Sequence, residues 1–569
     1  MLVVHPTGSI LLLSTNVLIN LHTVIKRLQE EYAWVRNGIG PLRLTNMQIL
    51  SLFLRKTWLD LQNSWYDASF GARAALLVFL YFMAMFAVDG VSTRYTSLTS
   101  RGFPRLRRPN RQRRWDFRAQ IEEGARLFPN SPYIIRCSGF EHIVYPSSSF
   151  DEIKSLPVAQ ASVMEYFAHC FFQGWHFLGR EVGALHKALS VDLTRSLPAR
   201  VRERQALMQG AFYRVVAPCP EWKSIRLYGT IQKLVAMTNA PALVGRELGT
   251  DPRWLSCLDM FVYTLVFALF ALSFVPRVLH PVAKYVVFAP NWFLYWRLKR
   301  LAYPAAEREL QEYNESQKPQ AISSEKLKVE KTRLGTFLLQ RYEPQDRTKD
   351  RLAHDFIVTM FESMASTVCT LYLILSELVL RPELADELRV ELKANLIEGQ
   401  LPISQLSELR KMDSLMCETT RINIFSYLTV FRRLMKPVKL SIGPEVPAGA
   451  IICVDGYNMV RSKAKWQNPD EFDPKRFLKL RQQPGHENLH QYASLDSSIP
   501  NWGGGSQACP GRFFASNSIK VFLTHLLLNY DIKLPAGMAK PSVGSMPNGS
   551  AMPDMQARIM IRERRESRI

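Results

Sequence analysis

Hydrophobic positions fall into three patterns along the chain. The first is the unbroken apolar run, which occurs twice. Ala74 to Val88 holds fifteen consecutive uncharged residues, and Met260 to Val275 holds sixteen. A full membrane span wants about 20 apolar residues. The first run reaches that length if Phe70, Gly71 and Ala72 join it and Arg73 snorkels. It therefore predicts an anchor helix over 71–89. The second run ends at Pro276-Arg277 and leads into an amphipathic stretch. It predicts an apolar helix that lines a pocket or touches a bilayer surface, because a second span would split the later motifs across the membrane.

The second pattern is helical periodicity, strongest over 200–215, 225–246, 350–380 and 383–398. The third is short strand-like runs at 133–145 and 428–455, with turn signals at Gly443-Pro444 and Pro447-Ala448-Gly449. Segment 303–333 carries Pro304, Pro319 and many charges and reads as a surface connection. No fixed-period repeat is present. The expected fold is mainly α with small β-sheets. It comprises an N-terminal extension (1–70), the anchor (71–89), a basic hinge (90–114), one large domain (115–540) and a C-terminal tail (541–569).

Composition sharpens this. With 569 residues, 47% hydrophobic and 21% charged, the chain is neither disordered nor a small disulfide scaffold. Its net charge of +22 calls for an anionic partner. Seven arginines (Arg101, Arg105, Arg107, Arg108, Arg111, Arg113 and Arg114) lie in fourteen residues directly after the anchor run. That location favours a lipid surface over nucleic acid and places the body on the cytosolic side. The eight cysteines are scattered without a CxxC pair, which argues against a zinc site of that type and against a disulfide framework.

The candidate chemistry lies near the C-terminus. In NWGGGSQACPGRFFA (501–515), three glycines precede Cys509 and Pro510-Gly511 follow it, just before a helix begins near Arg512. Glycines allow close backbone approach to something flat. A helix start offers N–H donors and a dipole that lower a thiol's pKa. Upstream, Glu418 and Arg421 stand three apart on one helix face. Between the two lies Phe472-Asp-Pro-Lys-Arg476-Phe477, whose Arg476 could join the pair in a buried cluster.

ExxR, then FxPxRF, then FxxGxxxCxG, in this order, resembles the cytochrome P-450 haem-thiolate monooxygenases. The matching positions are Glu418/Arg421, Phe472/Pro474/Arg476/Phe477 and Gly505/Cys509/Gly511. The likeness covers roughly residues 70–540 and is nearest to microsomal fungal members that oxidise terpenoids and related secondary metabolites. It implies the cytochrome P-450 fold and haem b (iron protoporphyrin IX), with Cys509 as proximal iron ligand. It implies structural roles for Glu418, Arg421 and Arg476. It also implies a propionate partner at Arg432, with Arg433 or His186 as alternatives. Electrons would come from an NADPH-cytochrome P-450 reductase, with cytochrome b5 as a further donor. The partners would be an apolar small molecule and the endoplasmic reticulum membrane, not nucleic acid.

Three positions depart from the family pattern. Trp502 stands where the family has Phe, and Gln507 stands where Arg or His reaches a propionate. In the oxygen-activating helix, counting sixteen residues back from Pro382 gives Ser366, with Ala365 at the acid position and Thr367 following. Ser366 and Thr367 are the candidate oxygen-activating hydroxyls. Glu362-Ser363 would supply an acid–alcohol pair, but at the wrong spacing. Candidate pocket walls are 260–275 and the aromatic-rich 158–185, with Phe167, Phe171, Phe172, Trp175 and Phe177. A non-oxygenating enzyme of the same fold, or a haem-binding scaffold, are the competing readings.

Overall fold

The structure is a computed structural model. It describes residues 80, 83–84, 102–106, 117–137, 140–170, 183–216, 218–272, 275, 279–317, 333–545 and 549–564. The chain divides into two compact units, Met1–Ala84 and Met85–Ile569. The 1–70 extension, most of the anchor and hinge, and Phe171, Phe172, Trp175 and Phe177 lie outside the described residues.

The second unit is built around one long helix, Lys349–Leu378. Thr348 caps it, its side chain accepting from the Arg351 N–H. Leucine, isoleucine and valine crowd both of its ends, so it is buried on most faces and acts as the spine. Helices Leu227–Val244, Ala289–Ser316, Arg410–Ile422 and Arg512–Asn529 pack against it. Helix Thr194–Val215 packs in turn on Leu227–Val244 and Arg512–Asn529.

The strands gather into small sheets. Strands β1 (Tyr133–Cys137), β2 (Phe140–Tyr145), β3 (Ala161–Ser162), β5 (Leu428–Leu434) and β6 (Ile451–Asp455) form one sheet in the order β1-β2-β6-β5-β3. Only β2–β6 is parallel. A second sheet has the order β4-β10-β7, formed by Lys223–Arg226, Arg558–Glu563 and Tyr530–Lys533. Strands β8 (Val543–Ser545) and β9 (Ala551–Pro553) pair as a hairpin.

Two expectations change. The connection foreseen over 303–333 is helical as far as Ser316, and Pro304 sits inside that helix. Tyr295, Leu298, Ala302, Ala306 and Tyr313 recur at helical spacing and are buried. Burial along that stripe outweighs the backbone bond lost at proline. The segment after 541, expected as a tail, supplies β8–β10, and Ile559 and Ile561 are core residues. Short alternating strands give little periodic signal on their own.

The core also carries a pH-sensitive group. His525 packs against the rings of Phe212 and Tyr530, and burial lowers its pKa to about 4. The unfolded chain would take up this proton near pH 6.5. Stability is therefore full above pH 6.5 and is lost as pH falls towards 4. We expect His525→Phe to gain roughly 2 kcal/mol relative to wild type on going from pH 7 to pH 5. Urea midpoints of the two proteins at both pH values check this.

Candidate active site

The Cys509 loop is pinned at several points. Gly503 and Gly505 have φ values of +69° and +67°, which suit glycine. A Cβ on Gly505 would lie 2.0 Å from the Lys154 carbonyl oxygen, so the loop packs directly on the end of helix Phe150–Lys154. The Cys509 N–H donates to the Trp502 carbonyl (2.8 Å), and the Trp502 indole N–H donates to the Tyr492 carbonyl (2.6 Å). Asn501 donates to the Thr420 hydroxyl (2.5 Å), tying the loop to helix Arg410–Ile422. Gln507 has both ends of its amide engaged. It accepts from the Val163 N–H and donates to the Ala161 carbonyl, each at 2.8 Å. In this geometry Gln507 clamps the loop to β3.

The helix start near Cys509 supplies the expected donors. N–H groups of Gly511 and Arg512 hydrogen-bond its sulfur and favour the thiolate. Burial nevertheless outweighs them and, helped by the negative charge of Glu362, pushes the thiol up to about 11. The lowered thiol pKa expected from the sequence is therefore not what the protein alone provides. Positive charge at the sulfur is what deprotonates such a thiol.

Glu418 and Arg421 are both 0% exposed. They form a two-pronged pair, Arg421 Nε to Glu418 Oε2 at 2.8 Å and Nη2 to Oε1 at 2.9 Å. Arg421 also donates to the carbonyls of Val460, Pro469 and Glu471. Arg476 Nε joins Glu418 at 3.2 Å, and the Asp473 N–H donates to the same carboxylate. The three residues singled out in the sequence thus share one cluster, which fastens the 460–476 coil to helix Arg410–Ile422.

Arg432 sits beside a β-bulge. The β5–β6 register shifts between Thr429 and Arg432, and Val430 has a φ of +50°. That conformation is costly for a β-branched residue and re-aims the strand. Arg432 is 2% exposed and donates to the Phe431 and Gly504 carbonyls, while its Nε has no partner. Among the described residues no carboxylate pairs with it. Burial lowers its pKa to about 10. Arg433 points elsewhere, to Glu165 at 3.7 Å, and His186 is exposed.

On the spine helix, Ser366 is exposed and its hydroxyl donates to the Glu362 carbonyl (3.3 Å), whereas Thr367 is 2% exposed. Glu362 is exposed one turn before Ser366. Spacing to Pro382 sets this residue aside in the sequence, although its i,i+4 relation to Ser366 was readable there. Of the candidate pocket walls, Phe167 is exposed, and Phe261 meets Phe361 of the spine edge-on at 6.1 Å.

Residues 276–560 match the family model described as "Cytochrome P450". A cytochrome P-450 monooxygenase of Aspergillus flavipes is 38% identical over 95% of this chain and 100% of its own length. The chain belongs to the cytochrome P-450 family. A second such monooxygenase, from Pyricularia oryzae, is also 38% identical, over 95% of this chain and 97% of its own. The pyrichalasin C-18 hydroxylase of Pyricularia grisea is 33% identical over 95% and 99%. Among solved structures, retinoic-acid-bound cyanobacterial CYP120A1 matches with a TM-score of 0.58 over 78% of this chain and 94% of that one, at 14% identity, which bears on the fold.

A cytochrome P-450 monooxygenase carries haem iron, and the residues present fit that group. Arg432 is a buried cation in need of an anion. Cys509 is a half-buried thiol aimed at by two N–H donors, the environment that tunes a metal-bound sulfur.

Proposed function

We propose that this cytochrome P-450 monooxygenase binds haem b through Cys509 and oxidises an apolar secondary metabolite. The substrate is of terpenoid type, or of the kind whose C-18 hydroxylation names the Pyricularia grisea relative. The observation that carries the reading is the pinned Cys509 loop facing a buried, acid-free Arg432. A thiolate-ligated haem iron supplies O–O cleavage when bound. The chain's own residues do the rest. Arg432 would hold a propionate. Gly505 and Gly511 shape the loop and Trp502 packs beside it, while Gln507 fixes it to β3. Glu418, Arg421 and Arg476 hold the coil behind it. Ser366, whose hydroxyl donates to the Glu362 carbonyl when no substrate is bound, and the buried Thr367 are the hydroxyls assigned to oxygen activation.

NADPH-cytochrome P-450 reductase is the proposed electron donor, with cytochrome b5 as a second. The proposed site is the cytosolic face of the endoplasmic reticulum, reached by the 71–89 anchor. Helices Pro252–Leu272 and Lys349–Leu378 are long and apolar enough to cross a membrane, but the second is largely core. The first buries only one face and turns Met260, Tyr263 and Phe267 outward. Val282, Val286, Phe293 and Trp296 of the adjoining helices are likewise exposed, with Arg300 over the Trp296 ring. Such a face, rimmed by cations, supports contact with a bilayer surface. A Phe267→Glu/Val286→Glu variant is expected to lose binding to anionic vesicles when the anchor is removed, as read by sedimentation.

Turnover under 18O2 with reductase and NADPH tests the activity. The expected product carries one labelled oxygen. NADPH consumption with a rearranged or desaturated, unlabelled product would contradict oxygen insertion.

A further inference from the structure

We propose that Gln507 is a positioning residue that couples helix Val163–Cys170 to the Cys509 loop, so that the grip on haem depends on that helix staying formed. This rests on the reading of Cys509 as the haem ligand.

Helix Val163–Cys170 has little to hold it from within. It has eight residues, and none of them is buried. A helix this short is marginal in water on its own, and its first N–H groups have no partner inside the helix. Two of those donors are met from outside. The Ser162 hydroxyl, just upstream, takes the Glu165 N–H at 3.2 Å. Gln507 Oε1 takes the Val163 N–H at 2.8 Å. This second cap comes from the loop of the proposed iron ligand, two residues before Cys509. The other end of the amide donates to the Ala161 carbonyl on β3, also at 2.8 Å. One neighbour is a donor and the other an acceptor, so only one orientation of the amide satisfies both. Beyond its caps the helix leans on ring contacts of Tyr166 and His169 and on a 3.7 Å ion pair between Glu165 and Arg433.

A second route joins the helix to the same loop. Tyr166 stacks on Phe431 of β5, with ring centroids 4.7 Å apart and planes 9° from parallel. The next residue, Arg432, donates to the Gly504 carbonyl at 3.4 Å. Gly504 lies three residues before Gln507. The contacts close a ring that runs from Gln507 through the helix, Tyr166, Phe431 and Arg432 back to the loop. Arg432, the buried cation assigned to a propionate, is one link of it. Slack at any link is therefore shared by the others.

The ring separates two readings of position 507. Arginine carries N–H donors and no acceptor, so it cannot take the Val163 N–H. If Gln507 were a weakened propionate partner, Gln507→Arg would add a charge and tighten the hold on haem. If Gln507 is the cap, the same substitution loosens it.

The test follows haem transfer from the haem-loaded full chain to excess apomyoglobin, together with amide hydrogen exchange of residues 163–170. Gln507→Met and Gln507→Arg are both expected to release haem on the order of 10-fold faster than wild type, with exchange in the helix raised by a similar factor, the size of one lost cap. Gln507→Glu keeps the acceptor facing Val163 and is expected to retain most of the protection. Tyr166→Ala, at the far side of the ring, is also expected to speed release. Combined with Gln507→Met it adds little more, because both act through one helix. Slower release from Gln507→Arg, or effects of Tyr166→Ala and Gln507→Met that simply multiply in the double variant, overturns the proposal. Should the Gln507 variants fail to take up haem, wild type decides alone. Exchange in 163–170 is expected to slow when haem binds, and unchanged exchange overturns the proposal. Absence of a thiolate-type carbon monoxide band in wild type would instead defeat the Cys509 reading.

Discussion

Arg421→Ala fails to yield stably folded protein. The substitution leaves Glu418 as a fully buried carboxylate facing only Arg476 and the Asp473 N–H. Breaking a buried pair by removing one partner costs about 3–5 kcal/mol. Here the Val460, Pro469 and Glu471 carbonyls also lose their donor. A domain has only about 5–15 kcal/mol to lose. Removing both charges is milder, because no uncompensated ion remains. Glu418→Gln/Arg421→Met is therefore expected to be more stable than Arg421→Ala alone. The yield of soluble, folded protein from the two variants and wild type decides the point. A single variant as stable as wild type would refute the buried-cluster account.

Cys509→Ala has the opposite signature, with the fold retained and activity reduced to background. The loop does not depend on the sulfur for its shape. Trp502 is anchored to Tyr492, Asn501 to Thr420, and Gln507 to Ala161 and Val163. The thiol itself is half-buried and takes N–H groups from Gly511 and Arg512, a setting for a bound metal more than for a packing contact. Near-ultraviolet circular dichroism should match wild type, while product formation should not exceed the reductase-only control. Retained product formation would remove Cys509 from the chemistry.

Much of this site was legible in the sequence because its parts are local and ordered. Glu418 and Arg421 share a helix face by spacing alone, and the glycines around Cys509 announce a tight loop. Other features depend on partners distant in the chain. Arg432 and Arg433 look equivalent in sequence, but as neighbours on β5 they face opposite ways, and only the fold shows that one meets Gly504 and the other Glu165. Gln507 looks like a weakened propionate donor until Ala161 and Val163, 346 and 344 residues away, occupy its amide. Pro304 reads as a helix end because the rule is local, while the buried stripe that overrides it is tertiary. The Cys509 thiol illustrates the same limit. The helix start lowers its pKa as expected, yet burial, which no spacing reveals, is the larger effect.

Ligation through Cys509 is tested most simply by the carbon monoxide difference spectrum of the reduced, membrane-expressed protein beside Cys509→Ala. Ligation of haem iron by the Cys509 thiolate predicts a red-shifted Soret band in wild type that is lost in the variant. A band typical of a neutral proximal ligand, or the same band in both proteins, would contradict it.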